Sequence, residues 1–206
     1  PDEDLLLFIR DHNPHLAEWE KDILTIVHEE AQYFIPQMET KIMNEGWATF
    51  WHKRILDSLE LPHGLRMEFM VRHNQVVRPT PGSINPYHIG LRIWEALARG
   101  ATEHPATLAP EDDDPKAPPA HSATLFAVRE SDRDSSFLRR HLTEHLMREM
   151  DLFEYQPRGR HLVVSEVSKG EGWRQVKETL IKGVGVGSVP VIKVEDADFG
   201  RNHTLS

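Results

Sequence analysis

The chain contains no cysteine among its 206 residues, and this absence limits its chemistry. Disulfide bonds and thiolate metal ligands are excluded, so any metal ion would be held by histidine, aspartate, glutamate and water. The sequence also lacks an unbroken run of about 18 apolar residues and a signal peptide, which argues against a membrane span and against secretion. These absences predict a cytoplasmic protein. Because the first residue is proline rather than methionine and residues 202–206 resemble an unfinished strand, we expect a piece of a longer protein.

Basic side chains are outnumbered by acidic ones. The chain has 24 lysines and arginines against 33 aspartates and glutamates, which gives a formal net charge of −9. Nucleic-acid affinity depends on basic side chains that neutralise phosphates, so this balance argues against a nucleic-acid partner. We expect protein partners instead. The length is sufficient for one sizeable core or two modest domains.

Residues 23–59 carry ionisable side chains where helical periodicity requires apolar ones. The pattern predicts a helix over about 14–34 and another over about 40–59, with a break at Pro36. In the first helix Glu30 falls near the centre of an apolar stripe, so we expect its carboxylate to be buried, where it needs a partner or a function. The stripe consists of Leu16, Trp19, Ile23, Ile26, Val27 and Phe34.

The second predicted helix is apolar on almost every side, as is typical of a buried helix. Its narrow polar edge contains Gly46, Lys53 and Asp57. Glu45 and His52 lie seven residues apart on one stripe away from that edge, so we expect both to face the interior. They are separated by roughly 10 Å along the axis, so one of them would bind a given ion and the other would be its neighbour.

His73 follows Phe69 on one stripe of a further predicted helix, and two interpretations of it stay open. Either it completes a polar cluster with Glu30, Glu45 and His52, or it is a helix-end histidine that interacts with terminal carbonyl groups. The cluster is open to two interpretations as well. Inward ionisable groups indicate a functional site, but each charge could equally be neutralised by a neighbouring basic side chain or backbone group.

The segment from His141 to His145 has the form His-x-x-Glu-His, which is a metallopeptidase pattern. Two histidines four residues apart on a helix can share a metal ion. Three arginines lie on the same short helix, however, and the sequence offers no third ligand. The segment therefore matches the metallopeptidase pattern in sequence only, since chance matches arise easily in a chain with 13 histidines.

The periodicities predict an α+β fold, with a mainly helical N-terminal domain followed by a small module of ββαββ type. The glycine run 183–187 lacks the Lys-Ser/Thr of a phosphate-binding loop and indicates a connection between helix and strand. Four segments are expected: a helical domain (1–103), a flexible acidic, proline-rich linker (104–121), a helical segment (122–151) and the α+β module (152–206).

Six segments of the sequence carry a family resemblance: Thr40–Thr49 with Trp51 and His52, Ala31–Phe34, Asn85–Tyr87 with Gly90, Asp134–Arg139 with Leu142 and Thr143, Asp151–Phe153, and Val194–Asp198. Together they closely resemble the stage V sporulation protein R (SpoVR-like) family, and the similarity spans essentially the whole chain. The resemblance implies a role in forming the spore cortex or, in bacteria that do not sporulate, in stress adaptation, without an established chemistry. It also implies full-length members that are longer at both ends.

The Asn-Glu-Gly-Trp-Ala segment at 44–48 is also similar to the carboxylate-bearing helix of several zinc metallopeptidase groups. This similarity implies that Glu45 is a zinc ligand, with Glu30 or His52 as its supporting or proton-transferring neighbour. His73 is a further metal-site candidate because its place on the helix stripe could let it complete the cluster. The histidine pair that completes such a site would come from an upstream region of the full-length protein. The alternative is an interaction or scaffold protein, in which the same polar cluster only fixes the core.

Overall fold

The computed structural model describes residues 4–79, 84–100, 121–158, 161–167 and 171–188. Helices dominate these ranges, and none of them is long and apolar enough to cross a lipid bilayer. In chain order the helices are α1 (Leu5–His12), α2 (Glu18–Glu39), α3 (Lys41–Ser58), α4 (His63–Val76), α5 (Pro86–Ala98), α6 (Ser122–Ser131), α7 (Asp134–His141), α8 (Glu144–Glu149) and α9 (Gly172–Lys182). The strands are β1 (Phe153–Arg158) and β2 (His161–Val167), and a 3₁₀ helix spans Gly185–Ser188.

The predicted α+β class is wrong, because the described part of the chain is built around helices. Strands β1 and β2 form only a two-stranded antiparallel hairpin, with Phe153 opposite Val167 and Arg158 opposite His161. The buried apolar side chains that the structure describes lie on helices or in the turns that join them. A two-stranded hairpin is too small to form a core of its own. The later strands predicted for the ββαββ module lie outside the described residues.

Helices α3 and α5 cross in direct backbone contact at the centre of this core. A Cβ added to Gly46 would lie 2.4 Å from both the Cα and the carbonyl carbon of Gly90, so the crossing has no room for a side chain. Beside it, the fully buried Trp94 donates a hydrogen bond from Nε1 to the Met43 carbonyl at 3.1 Å. Helices α6 to α9 enclose the crossing with Leu125, Phe137, Leu138, Met147 and Val176.

The buried face of α3 is opposite to the predicted one. Ala48 and His52 are exposed and Glu45 is half-buried, so the prediction that Glu45 and His52 face the interior is wrong for His52 and only partly right for Glu45. The error arises because a hydropathy pattern does not count Gly46 as apolar, although its missing side chain is what admits α5. The residues of α3 that are buried are Ile42, Met43, Gly46, Thr49 and Phe50.

Helices α1 and α2 pack on each other and bury no residue completely. Asp4 caps α1, because its Oδ1 accepts hydrogen bonds from the backbone N–H groups of Leu6 and Leu7 at 3.0 and 3.2 Å. Its Oδ2 lies 2.8 Å from Nδ1 of His28 on α2, which joins the two helices. Helix α2 also contacts the 3₁₀ helix.

The predicted break at Pro36 is wrong as well, since α2 continues to Glu39 before the chain turns at Thr40. Proline removes one N–H from the helix, but its carbonyl still accepts a hydrogen bond. Thr40 Oγ1 donates that bond to the Pro36 carbonyl at 2.7 Å, close to the helix end. The last turn of α2 therefore tolerates the proline.

Helix α9 contributes Val176 and Ile181 to the same hydrophobic cluster as α3 and α5. Its Lys177 donates a hydrogen bond to the Arg139 carbonyl of α7 at 3.0 Å. Apart from His121, the predicted linker lies outside the described residues. The four-segment division of the chain stays a prediction.

Replacing Gly46 by alanine should destabilise the protein severely. The new methyl group would overlap the backbone of Gly90, so the two helices would have to move apart, at a cost of at least about 2–3 kcal/mol. Urea unfolding measures this change. The matched control is Gly64→Ala on α4, where an added Cβ meets nothing within 4 Å; it should be neutral or stabilising by up to about 1 kcal/mol. Equal stabilities of the two variants would contradict the close crossing.

Candidate functional site

The first turn of α3 is capped by a carboxylate from a distant part of the chain. Thr40, at the N-cap position, makes no side-chain capping bond. Asp134 performs this function instead: its Oδ2 accepts the backbone N–H of Ile42 and its Oδ1 that of Met43, both at 2.9 Å. The Asp134 side chain is 1% exposed. A negative charge at a helix N-terminus is favourable, and here it also satisfies donors that would otherwise be buried without partners.

Burial raises the pKa of the Asp134 carboxyl, while the hydrogen bonds from the backbone N–H groups of Ile42, Met43 and Lys41 act in the opposite direction. The raised pKa shows that desolvation outweighs the favourable contacts in the balance between the two protonation states. The contacts still decide the local geometry. Without them, the start of α3 and the start of α7 would both hold unsatisfied polar groups inside the core.

A second buried carboxylate, Asp132, fixes the start of α7. Its side chain is 0% exposed and accepts hydrogen bonds from Arg140 Nη1 at 2.6 Å and from Ser136 Oγ at 3.2 Å. His141 Nε2 lies 3.1 Å from its other oxygen. This network holds Asp134 in position, because Asp134 is two residues further along the same turn.

Asn85 connects the end of α4 to the start of α5. Its Oδ1 accepts the backbone N–H of Tyr87 at 3.0 Å, which caps α5, and its Nδ2 donates to the carbonyls of Val76 and Arg78 at 2.9 and 2.8 Å. Pro86 occupies the first helical position, where its missing N–H is harmless. Asn85 and Pro86 therefore set both the start and the direction of α5.

Glu45 uses its carboxylate in a contact between the two crossing helices. It accepts a hydrogen bond from the hydroxyl of Tyr87, and this bond, followed by burial, raises the pKa of the Tyr87 phenol. Glu45 is half-buried, and its backbone carbonyl accepts a bond from Thr49 Oγ1 at 2.6 Å. The acid of the Asn-Glu-Gly-Trp-Ala segment thus reinforces the α3–α5 crossing from the side.

The structure does not bring the four residues predicted to form one site together as a single group. Glu30 is exposed on α2, so the prediction of a buried carboxylate there is wrong. His52 and His73 come close to each other, since both rings lie against Phe69 with centroid distances of 5.5 and 5.6 Å. Burial, followed by the charge of Lys53, lowers the pKa of His73. Glu45 is engaged with Tyr87 instead.

Across the described ranges, no group of three or more histidine, aspartate or glutamate side chains is placed so that it could hold a metal ion. The two histidines of the His-x-x-Glu-His segment have different neighbours. His141 contacts Asp132, whereas the exposed His145 lies 3.7 Å from Glu149. The catalytic roles of Glu30 and His52 and the metal-binding roles of Glu45 and His73, with zinc as the cofactor, stay predictions.

The apolar stripe of α2 forms a surface that the periodicity found but assigned to the interior. The predicted stripe also contained Leu16, which precedes α2, and did not contain Tyr33; only packing reveals that no element of the described chain covers the part on α2. A single exposed apolar residue is ordinary, but a row of them on one helix indicates a binding surface. The exposed fractions are Trp19 63%, Ile23 48%, Ile26 54%, Val27 45%, Tyr33 69% and Phe34 50%. We call these six residues the α2 stripe.

Sequence reasoning missed the capping role of Asp134 and the contact between Tyr87 and Glu45. Both lie in segments that carry the family resemblance, so the motifs themselves were the available signal. Neither contact follows from periodicity, because 92 residues separate Asp134 from Ile42. Such pairings need the tertiary fold.

Replacing Asp134 by alanine should lower the free energy of unfolding by at least about 3 kcal/mol, because two buried N–H groups lose their acceptor. Asp134→Asn should lower the free energy of unfolding by less, since its amide oxygen can still accept one of the two hydrogen bonds. Chemical unfolding monitored by circular dichroism measures both effects. The exposed Asp22→Ala on α2 is the control and should change stability by no more than about 0.5 kcal/mol. A loss in Asp134→Ala no larger than in this control would refute the capping role.

His88 should make the protein less stable in mild acid. Burial, followed by the charge of Arg92, lowers the pKa of His88, and its Nε2 has no hydrogen-bond partner among the described residues. Below about pH 6.5 the unfolded chain therefore takes up a proton that the folded chain resists, and stability falls with falling pH.

Urea unfolding of wild type and of His88→Gln measures this effect. The experiments run from about pH 7.5 to about pH 5, a range that includes the ordinary histidine pKa. The stability of wild type relative to the variant should decrease toward the acidic end. A difference between the two that is constant with pH would show that His88 titrates alike in both states.

Comparison with known proteins places this arrangement in a family. Residues 1–189 match the family model described as SpoVR like protein. The chain is also 32% identical to "Uncharacterized protein YcgB" of Escherichia coli (strain K12), across 100% of this chain and 43% of the relative, so it spans less than half of that protein's length. No solved structure matches. The resemblance inferred from the motifs is thus confirmed, and the chain belongs to the SpoVR-like family.

Proposed function

We propose that this chain is an interaction and scaffold region that binds another polypeptide through the α2 stripe, in a protein that acts in sporulation, through the spore cortex, or in stress adaptation. The observation that carries the proposal is the exposure of six large apolar side chains along one face of a 22-residue helix. Water contact with such a row is unfavourable, and a partner that covers it gains the corresponding burial energy.

The arrangement of the core supports the same proposal. The polar side chains of the family motifs are occupied in joining helices: Asp134 to α3, Asn85 to the end of α4, and Tyr87 to Glu45. These contacts hold α3 and α5 rigidly, and α2 continues into α3 through a single residue, Thr40. A rigid support of this kind presents a surface in one fixed orientation, which reduces the entropy lost on binding.

The competing proposal is a metal-dependent hydrolase-like site around Glu45. Its supporting observation is that Glu45 is half-buried and hydrogen-bonded by Tyr87, as carboxylate ligands commonly are by neighbouring groups. The two proposals assign different roles to the same residue. In the first proposal Glu45 stabilises the crossing of α3 and α5, and in the second it binds zinc.

Complementation of a deletion strain distinguishes the interaction proposal from the hydrolase proposal. The full-length gene carries either Ile23→Asp with Ile26→Asp, or Glu45→Gln, and the readout is heat-resistant spore yield or survival of starvation, according to the host. We expect the stripe variant to fold normally and fail to complement. Glu45→Gln should complement to the extent that it stays folded, because its amide oxygen still accepts the Tyr87 bond.

Urea unfolding of the purified variants shows which of them are folded. The matched control is Met67→Asp with Val71→Asp, which places the same charges on exposed apolar positions of α4 and should complement. A folded Glu45→Gln protein that is inactive and has lost zinc in a titration, together with an active stripe variant, would favour the hydrolase and exclude our proposal.

A further inference from the structure

We propose that the partner of the α2 stripe is a basic amphipathic helix of another protein, selected by carboxylates that lie on and beside the stripe. The inference rests on the proposed function and adds the chemistry of the partner. It follows from the spacing of the stripe, from the acidic groups around it, and from the fact that α2, which the structure describes in full, carries no lysine or arginine on that face.

The α2 stripe has the spacing of a coiled-coil seam. Counting from Trp19, the seam positions recur after four, three, four and three residues, which is the heptad alternation of d and a positions. Val27 and Phe34 widen this seam on one side. The opposite side of the helix faces α1 through His28, so a second helix can lie along the seam without displacing α1. The seam positions are Trp19, Ile23, Ile26, Glu30 and Tyr33.

Three carboxylates mark this face, and none of them has a hydrogen-bond or ion-pair partner in the part of the chain that the structure describes. Glu30 occupies a seam position, and Asp22 and Glu29 occupy the edge beside it, seven residues or roughly 10 Å apart. The other acids near α2 are already engaged: Glu18 contacts Lys21 at 2.8 Å and Glu39 contacts Arg133 at 2.9 Å.

A covering helix would partly desolvate Glu30, which is unfavourable unless that helix supplies a positive charge. Edge charges on a coiled coil similarly determine which partner is accepted. The chemistry therefore requires apolar seam residues, one arginine or lysine opposite Glu30, and basic residues at heptad spacing opposite Asp22 and Glu29.

A second copy of this chain does not fit the face. A parallel pair of α2 helices would place Glu30 against its own copy, and an antiparallel pair would bring the acidic edges together. The helix has one basic residue, Lys21, which lies away from the seam and is bound to Glu18. Like charges at these positions oppose self-association, so the occupant is a different, basic helix.

The test uses three synthetic peptides of three heptads with the same apolar seam. The basic peptide carries arginine opposite Glu30 and lysines opposite Asp22 and Glu29; the acidic peptide carries glutamates there, and the neutral peptide glutamines. A fourth peptide scrambles the basic sequence. Binding to the 206-residue chain is measured by isothermal titration calorimetry at low and high salt, and sedimentation gives the oligomeric state of the chain alone.

We expect the basic peptide to bind about tenfold more tightly than the neutral one at low salt, with a smaller preference at high salt. Glu30→Gln should reduce that preference several-fold, and Glu30→Lys should reverse it toward an acidic residue at the facing position. Glu178→Gln, which removes an exposed glutamate from α9, should leave it unchanged. Ile26→Asp should abolish binding of every peptide.

Three results would overturn the inference. If all amphipathic peptides bind alike and Ile26→Asp abolishes binding, the stripe binds helices without charge selection, and only the proposed function survives. If the scrambled peptide binds as well as the basic one, the attraction is general and the stripe is not its site. If no peptide binds the folded chain, or the chain dimerises through Ile26, both this inference and the stripe's proposed role in binding a partner fail.

Discussion

The carboxylate of Asp134 joins two parts of the sequence that lie 92 residues apart, and the positions of the central helices depend on it. Helix α3 begins directly after a long exposed helix and has no capping side chain of its own. An N-terminus in that position, inside the core, requires an external acceptor. Asp134 supplies two carboxylate oxygens at hydrogen-bonding distance, and Asp132 ties the turn that carries it to Arg140 and His141.

Once α3 is anchored, three contacts join it to α5. Trp94 binds the Met43 carbonyl near the start of α3, the backbones touch at Gly46 and Gly90, and Tyr87 meets Glu45. Each contact restricts a different freedom: translation along the axis, the distance between axes, and rotation about them. Three motifs that are far apart in the sequence therefore describe one physical object, the crossing of α3 and α5. Packing at this crossing gives each of the three segments a structural role in this chain.

Much of the fold could be predicted from the sequence, but which face of each helix is buried could not. The periodicity located α3 within two residues of its observed ends and identified the apolar stripe of α2. It failed at Gly46, because a residue without a side chain has no hydropathy that distinguishes a wet edge from a close helix contact. It failed at Glu30 for a related reason. A charge within an apolar stripe has the same pattern whether the stripe faces a core or an absent partner.

Long-range contacts, which periodicity does not contain, determine the neighbours of the residues predicted to form the site. Periodicity places Glu45, His52 and His73 on helix faces, but it cannot show that Tyr87 donates a hydrogen bond to Glu45 or that Phe69 packs against both histidine rings. The buried carboxylates Asp132 and Asp134 are satisfied by hydrogen bonds, whereas Asp22, Glu29 and Glu30 of α2 face outward without partners in the described chain. A net charge of −9 gives this chain a general attraction for positively charged groups over distances of about a Debye length. Such long-range attraction does not distinguish one positively charged partner from another. An apolar seam with a carboxylate inside it adds that selectivity, since only a helix that is both apolar and correctly charged can cover it without burying an unpaired charge.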